Sequence, residues 1–182
     1  AIGALNMGSM NYAKYHEKKK DFVFEFVFPN PFSEIVAIVE AMNAVGVKPE
    51  MECFDTGHVG NSYPLIDMGL LEAPYQYSLI LGVLGGMPPT TQNLLKMVEQ
   101  LPPNADWGVI GISLDQWRLV AAAIALGGNV RVGLEDNFYL ARGEMAGSNG
   151  DLVAKAARMI RDQGREVATA EECRERLGLK HR

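Results

Sequence analysis

Residues 75–100, YQYSLILGVLGGMPPTTQNLLKMVEQ, hold one complete strand-and-helix unit. The apolar run 75–83 is bounded by Gly82 and by Gly85-Gly86, so it reads as a buried strand ending in a glycine loop. Pro88-Pro89-Thr90 then introduces a helix, with Leu94, Leu95, Val98 and Leu101 on one stripe.

The same unit repeats in both directions. Upstream, residues 1–7 read as a strand ending at Gly8-Ser9. Residues 22–28 fit an additional strand, and Asn30-Pro31 opens a helix that Gly46 closes. Residues 48–55 form the next strand, with Glu50, Glu52 and Phe54 on one face and Met51, Cys53 and Asp55 on the other. Gly57-His58 begins a loop, and residues 63–71 follow as a helix. Downstream come a strand at 107–112, a helix at 115–126, a last strand at 129–135 and a helix at 152–160. A final helix spans 169–177, with Thr169 and Glu172 spaced as a capping box.

Core strands around Leu5, Met51, Ile80, Val109 and Val132 alternate with helices, which predicts an α/β fold with a parallel sheet and a single domain over 1–182. Two architectures satisfy that pattern, an open doubly wound sheet and part of a closed barrel. A complete eight-stranded barrel needs about 250 residues, so the strands of this chain would make only part of one. Ala1 is not Met, and the chain opens directly inside a strand, so a truncated chain is expected.

The net charge of -5 and pI near 5.2 argue against nonspecific nucleic-acid binding, which depends on Lys and Arg. The basic run Lys18-Lys19-Lys20 is diluted by Glu17 and Asp21 and reads as a solvated loop. Cys53 and Cys173 fit a reduced, cytoplasmic compartment better than a disulfide framework. No signal-peptide pattern opens the chain, and the apolar runs are too interrupted to span a membrane.

Functional residues of either architecture sit at the C-terminal ends of the strands. On the last strand Arg131, Gly133 and Glu135 share a face, with Asp136 at the tip. Facing a lumen, Glu135 would need a partner such as a metal, and Arg131 one such as Asp136; facing solvent, the same residues make an ordinary ion pair and a turn. Glu50 and Glu52 either raise each other's pKa in a lumen, as acid–base work requires, or line a solvent-facing edge strand. The loop 82–86 either presents amides to a phosphate or is a plain turn. His16 and His181 read as surface residues. His58 lies at a strand end, where a hydrogen-bonded structural role competes with a ligand role. Without a His–x–His or Cys-rich signature the chain cannot assemble a three-ligand zinc site by itself.

The run Arg131-Val132-Gly133-Leu134-Glu135-Asp136-Asn137 resembles the last barrel strand of the β-keto acid cleavage enzymes. Asn6-Met7-Gly8-Ser9-Met10-Asn11, the segment 48–58, Leu81-Gly82-Val83-Leu84-Gly85-Gly86-Met87 and Ala146-Gly147-Ser148-Asn149 are similar to the family's fourth, fifth and sixth strand ends and its later loop. The tail Glu166-Val167-Ala168-Thr169 also fits. The resemblance implies a (β/α)8 TIM barrel, represented here by strands about 4 to 8. It implies a zinc-dependent acyl transfer from β-keto acid and acetyl-CoA to acetoacetate and a new acyl-CoA. Glu135 matches the zinc carboxylate, and Arg131 and Asp136 match the proton-removing pair. Glu52 matches the fifth-strand carboxylate, and Gly8 and Ser9 match the loop that meets the substrate carboxylate. It also implies a cytoplasmic homotetramer. The two His ligands of zinc and the first three βα units lie outside this sequence, so the chain alone is expected to be inactive. The alternative is a noncatalytic half-barrel that associates with another chain.

Overall fold

The computed structural model describes residues 1–179; His181 lies outside them. Strand β1 (Ile2–Asn6) leads into a hairpin, β2 (Met10–His16) and β3 (Asp21–Phe28), and then into α1 (Phe32–Ala44). Next come β4 (Lys48–Cys53), α2 (Thr56–Gly60), α3 (Ser62–Asp67), β5 (Tyr75–Leu81) and α4 (Thr91–Val98). The chain continues with β6 (Ala105–Gly111), α5 (Gln116–Ala125) and β7 (Asn129–Arg131). A small hairpin, β8 (Tyr139–Ala141) and β9 (Glu144–Met145), precedes α6 (Asn149–Asp162) and α7 (Ala170–Arg176).

The main sheet has the order β1-β4-β5-β6-β7, and every pairing in it is parallel. That order decides between the two architectures. A doubly wound sheet reverses its strand order at a switch point. Here each right-handed crossover advances the same way, which keeps the helices on one face and curves the sheet as an arc of a (β/α)8 barrel. The packing agrees. Leu5, Met51, Cys53, Tyr77, Leu79, Leu81 and Val109 from the strands share one core with Ile35, Val39, Leu94, Met97, Leu119 and Ala123 from the helices.

The alternate residues point into the lumen. Register aligns Ala4, Glu50, Gln76 and Asp106 in one row, and Asn6, Glu52, Ser78, Gly108 and Asn129 in the next. Ile80, Ile110 and Arg131 form the row nearest the strand ends. Parallel sheets usually read apolar on both faces because both are buried. A face carrying this many polar groups is a site rather than a core. Several of the polar groups are paired: Ser78 donates its hydroxyl to Glu50, and Asn129 donates to Asp106 at 2.9 Å, whereas the buried Gln76 Oε1 has no partner among the described residues. From the far end of the chain Arg176, in α7, reaches Asp106 at 2.6 Å, so α7 closes the floor of the lumen. Thr169 and Glu172 form the reciprocal capping box that starts this helix.

The hairpin roofs the opposite end. Met10 packs with Phe54, Ile80 and Ile110, supported by Tyr12 and Phe28. Ala13 bridges to Leu84 in the loop after β5. A Cβ on Gly85 would lie 1.8 Å from the Asn11 carbonyl oxygen, and Gly85 has φ +109°; a Cβ on Gly86 would lie 2.7 Å from the Phe54 carbonyl oxygen. The glycine pair is therefore the seat of the hairpin. Its neighbouring amides are spent inside the fold: Gly82 N–H donates to Met87, Gly86 N–H to Val83 and Met87 N–H to Phe54. Within 82–86, the Gly82 and Gly86 amides are thereby committed to the fold.

Three other expectations change. β7 stops at Arg131, because the Gly133 carbonyl accepts from both Asp136 N–H and Asn137 N–H and turns the chain. Glu135 and Asp136 thus lie in a turn, not on a strand. The expected loop at Gly57-His58 is helical, since the Asp55 carboxylate caps α2 by accepting from His58 N–H at 3.0 Å. The strand carrying Glu50 and Glu52 is interior, flanked by β1 and β5, and not an edge. Among the described residues no helix is long and apolar enough to cross a membrane.

Candidate active site

The strand ends meet at Arg131. Its guanidinium lies 3.3 Å from Glu52, 3.5 Å from Asp136 and 3.6 Å from Glu135. Residues from β4 and from the turn after β7 are thereby gathered around one cation. Arg suits this place because its fork keeps its charge and offers several donors at once. The carboxylates differ in environment. Glu52 and Asp136 expose only 13% and 9% of their side chains, whereas Glu135 exposes 84%.

That difference sets their acidity. Burial pushes the Glu52 carboxyl above its usual value; Arg131 opposes the shift and Glu50 reinforces it. Burial raises Asp136 too, again against Arg131 and with help from Glu135. A carboxyl lifted in this way can both take and return a proton nearer neutrality. Arg131 limits the shift and orients both groups.

The turn that carries Glu135 and Asp136 is clamped from several sides. Asn149, at the start of α6, accepts from Leu134 N–H at 2.8 Å. Ser113, held at φ +59°, donates its N–H to the Asp136 carbonyl at 2.8 Å. Buried Asn137 donates to the Gln116 side chain at 3.2 Å and to the Tyr139 carbonyl at 2.7 Å, and accepts from Tyr139 N–H at 3.0 Å. Sequence reasoning did not single out Gln116, Ser113 or Asn149 for this work. The one signal was their position at strand ends and helix starts.

Gly8 and Ser9 follow β1, beside the end of β4. The Ser9 hydroxyl oxygen accepts from Asn30 N–H at 2.7 Å, which leaves its own hydrogen free to donate outward. Asn30, expected as a helix cap, instead ties this loop, with its side chain donating to the Gly8 carbonyl at 3.2 Å. His58 is 4% exposed. Its Nδ1 accepts from Phe54 N–H at 3.3 Å, so Nε2 carries the hydrogen that faces the Ser9 carbonyl at 3.4 Å. A Cβ on Gly8 would meet the His58 ring at 2.6 Å. His58 is thus a structural histidine that fixes the Gly8-Ser9 loop.

A metal does not fit these residues alone. Among the described residues no group of three or more His, Cys, Asp and Glu is placed to hold one. Glu135 is accessible, but His58 has both ring nitrogens committed.

Residues 1–179 match the sequence model of the beta-keto acid cleavage enzyme family. The chain belongs to that family. It is 37% identical over 154 residues to the 3-keto-5-aminohexanoate cleavage enzyme of Fusobacterium nucleatum, covering 85% of this chain and 56% of that protein. Over its whole length it is 35% identical to the 3-dehydrocarnitine:acetyl-CoA trimethylamine transferase of Rhizobium meliloti, covering 57% of that protein. The family chain therefore spans a little over half the length of these relatives. Among solved structures, apo ObcA superposes with a TM-score of 0.79 at 18% identity, over 98% of this chain and 44% of that one. ObcA bound to a C4-CoA adduct and oxalate superposes at 0.73. At such low identity these two establish the shared fold.

Proposed function

We propose that this chain is the C-terminal part, as a single domain, of a barrel enzyme that converts a β-keto acid and acetyl-CoA to acetoacetate and a new acyl-CoA. The observation that carries the reading is the convergence of Glu52, Glu135 and Asp136 on Arg131 at the strand ends. The names of the curated relatives, which couple a keto acid to acetyl-CoA, support it.

In this reading Asp136 removes the proton from the carbon between the carbonyl groups. Arg131 orients it, and as the proton passes to Asp136 the negative charge passes from that carboxylate to the substrate enolate. Glu52, the second carboxyl on Arg131, holds or returns a proton as the carbon–carbon bond is exchanged. The outward-facing Ser9 hydroxyl and the flat backbone at Gly8 receive the substrate carboxylate. Glu135 is the one zinc ligand this chain offers. Two imidazoles from an early strand, outside residues 1–179, complete that centre. The protein is a cytoplasmic homo-oligomer, a tetramer in the family's manner, and binds neither nucleic acid nor membrane.

The test is a chimera joining residues 1–179 to the N-terminal βα units of the Fusobacterium nucleatum relative. Mass spectrometry follows acetoacetate and acyl-CoA during incubation with acetyl-CoA and a panel of β-keto acids. Turnover is expected from the chimera and not from the chain alone. Asp136→Asn should lower it by roughly 10²–10⁴-fold. An unchanged rate in that variant removes Asp136 from the chemistry.

A second reading rests on the sheet edges. β1 and β7 each have a partner on one side only. A noncatalytic half-barrel would use those edges to associate with another chain, and the chimera would then turn over nothing.

A further inference from the structure

Strand β4 sets two carboxylates on the lumen face, Glu50 and Glu52, one row apart. At about 3.3 Å per residue their Cα atoms lie roughly 6.6 Å apart along the strand. Glu52 sits in the row that meets Arg131, 3.3 Å from the guanidinium. Glu50 sits in the row beneath, between Ala4 of β1 and Gln76 of β5. The register places Ser78 beside Glu52, yet its hydroxyl turns back along the sheet and donates to Glu50. That hydrogen bond fixes where the Glu50 carboxylate lies, and a hydroxyl donor suits an ionised acceptor.

No cation answers Glu50. The basic groups of the lower lumen are engaged elsewhere: Arg176 pairs with Asp106 at 2.6 Å, and Lys48, two residues before Glu50 on β4, donates to the Glu72 carbonyl at 3.4 Å. Among the described residues Glu50 forms no ion pair.

A charge left in that state acts on its neighbour. Two carboxylates on one strand face in a low-dielectric lumen resist being ionised together. The Glu52 carboxyl, raised chiefly by burial, is raised further by Glu50 and then by Glu135, against Arg131. β1 and β5 set only Asn6 and Ser78 beside it, and neither titrates. Asp136, 3.5 Å from the same guanidinium, draws off part of its charge. Of the acids that bear on Glu52, Glu50 alone forms no ion pair with Arg131, so its influence can be removed without disturbing the cluster around that guanidinium.

We propose that Glu50 is a positioning residue for Glu52: pinned by Ser78 in the row beneath and left without a counter-ion, it keeps Glu52 in the acid form beside Arg131. The use made of that proton rests on the catalytic reading. There it passes from the Glu52 carboxyl to the carbanion carbon left when the carbon–carbon bond breaks, and the negative charge passes from that carbon to Glu52. A Glu52 already ionised against Arg131 would have no proton to give. Glu50 acts through Glu52 alone.

The test follows glutamate carboxyl carbons by NMR across pH in the isotope-labelled 182-residue chain, with Glu52→Gln identifying the Glu52 resonance. Glu50→Gln keeps the side chain's size and an oxygen for Ser78, and should move the Glu52 midpoint to lower pH by about 0.5–1. Glu50→Ala removes the charge without supplying an amide and should give the same shift, so either neutral variant decides. Glu50→Asp keeps the charge and should restore most of the midpoint. In the chimera, Glu50→Gln should move the basic limb of kcat to lower pH and leave KM for the keto acid unchanged. A Glu52 midpoint that stays put in the neutral variants, or moves as far in Glu50→Asp, overturns the proposal, as does an unmoved basic limb in an active chimera. A shifted midpoint with no turnover from the chimera upholds the coupling of Glu50 to Glu52 and overturns the catalytic reading instead.

Discussion

Arg131 holds more negative charge around it than it neutralises, and two of its three carboxyls are buried. For Glu52 and Asp136 the folded state favours the neutral form. Their contribution to stability is present below the ordinary carboxylate range and is lost as pH rises through the raised values. The unfolding free energy should therefore fall as pH climbs out of the acid range toward neutrality. Glu52→Gln should flatten that slope and stabilise the chain at neutral pH by about 1 kcal/mol, or some 2–4 °C in Tm. Calorimetry of both chains across that pH range checks it; a steeper slope in the variant would contradict the sign. A site that is more stable without its carboxylate is what stored reactivity looks like.

At the scale of elements, the roof and the clamps are the fragile parts. Gly85→Ala forces a methyl into the Asn11 carbonyl at a positive φ, and should cost about 3 kcal/mol in urea unfolding. Asn137→Ala leaves the buried Gln116 side chain and the Tyr139 backbone short of partners, costing roughly 1–3 kcal/mol. A loss well under 1 kcal/mol in either variant would mean the element is looser than its contacts. β5 was legible in the sequence because a buried parallel strand is an apolar run ended by glycine. So was α7, whose Thr169–Glu172 spacing is a local cap. β2 was not, since Asn11 and Lys14 interrupt its pattern and only pairing with β3 makes it a strand. The shape of the last strand end was missed for a similar reason. Gly133, Ser113 and Asn149 turn the chain through contacts from distant segments. Arg131, Glu52, Glu135 and Asp136 could be named as candidates, but their convergence depends on β4 and β7 curving toward each other across the lumen.

The whole molecule is an arc with a roof at one end of its lumen and a floor at the other. The Asp106–Arg176 pair ties the middle of the sheet to its last helix. Arg176→Ala leaves the Asp106 carboxylate, 8% exposed, with Asn129 as its remaining partner. The expected loss is roughly 1–3 kcal/mol of global stability, read as a shifted urea midpoint with an unchanged slope. A change confined to hydrogen exchange within α7 would instead make that helix an appendage. The position of the tie also has a consequence for the order of folding. Asp106 and Arg176 lie far apart in sequence, so their ion pair forms only after β7, α6 and the turn into α7 have folded back beneath the sheet. The floor is therefore the last part of the arc to close, and a chain caught before that step holds an assembled sheet with Asp106 still short of its counter-charge.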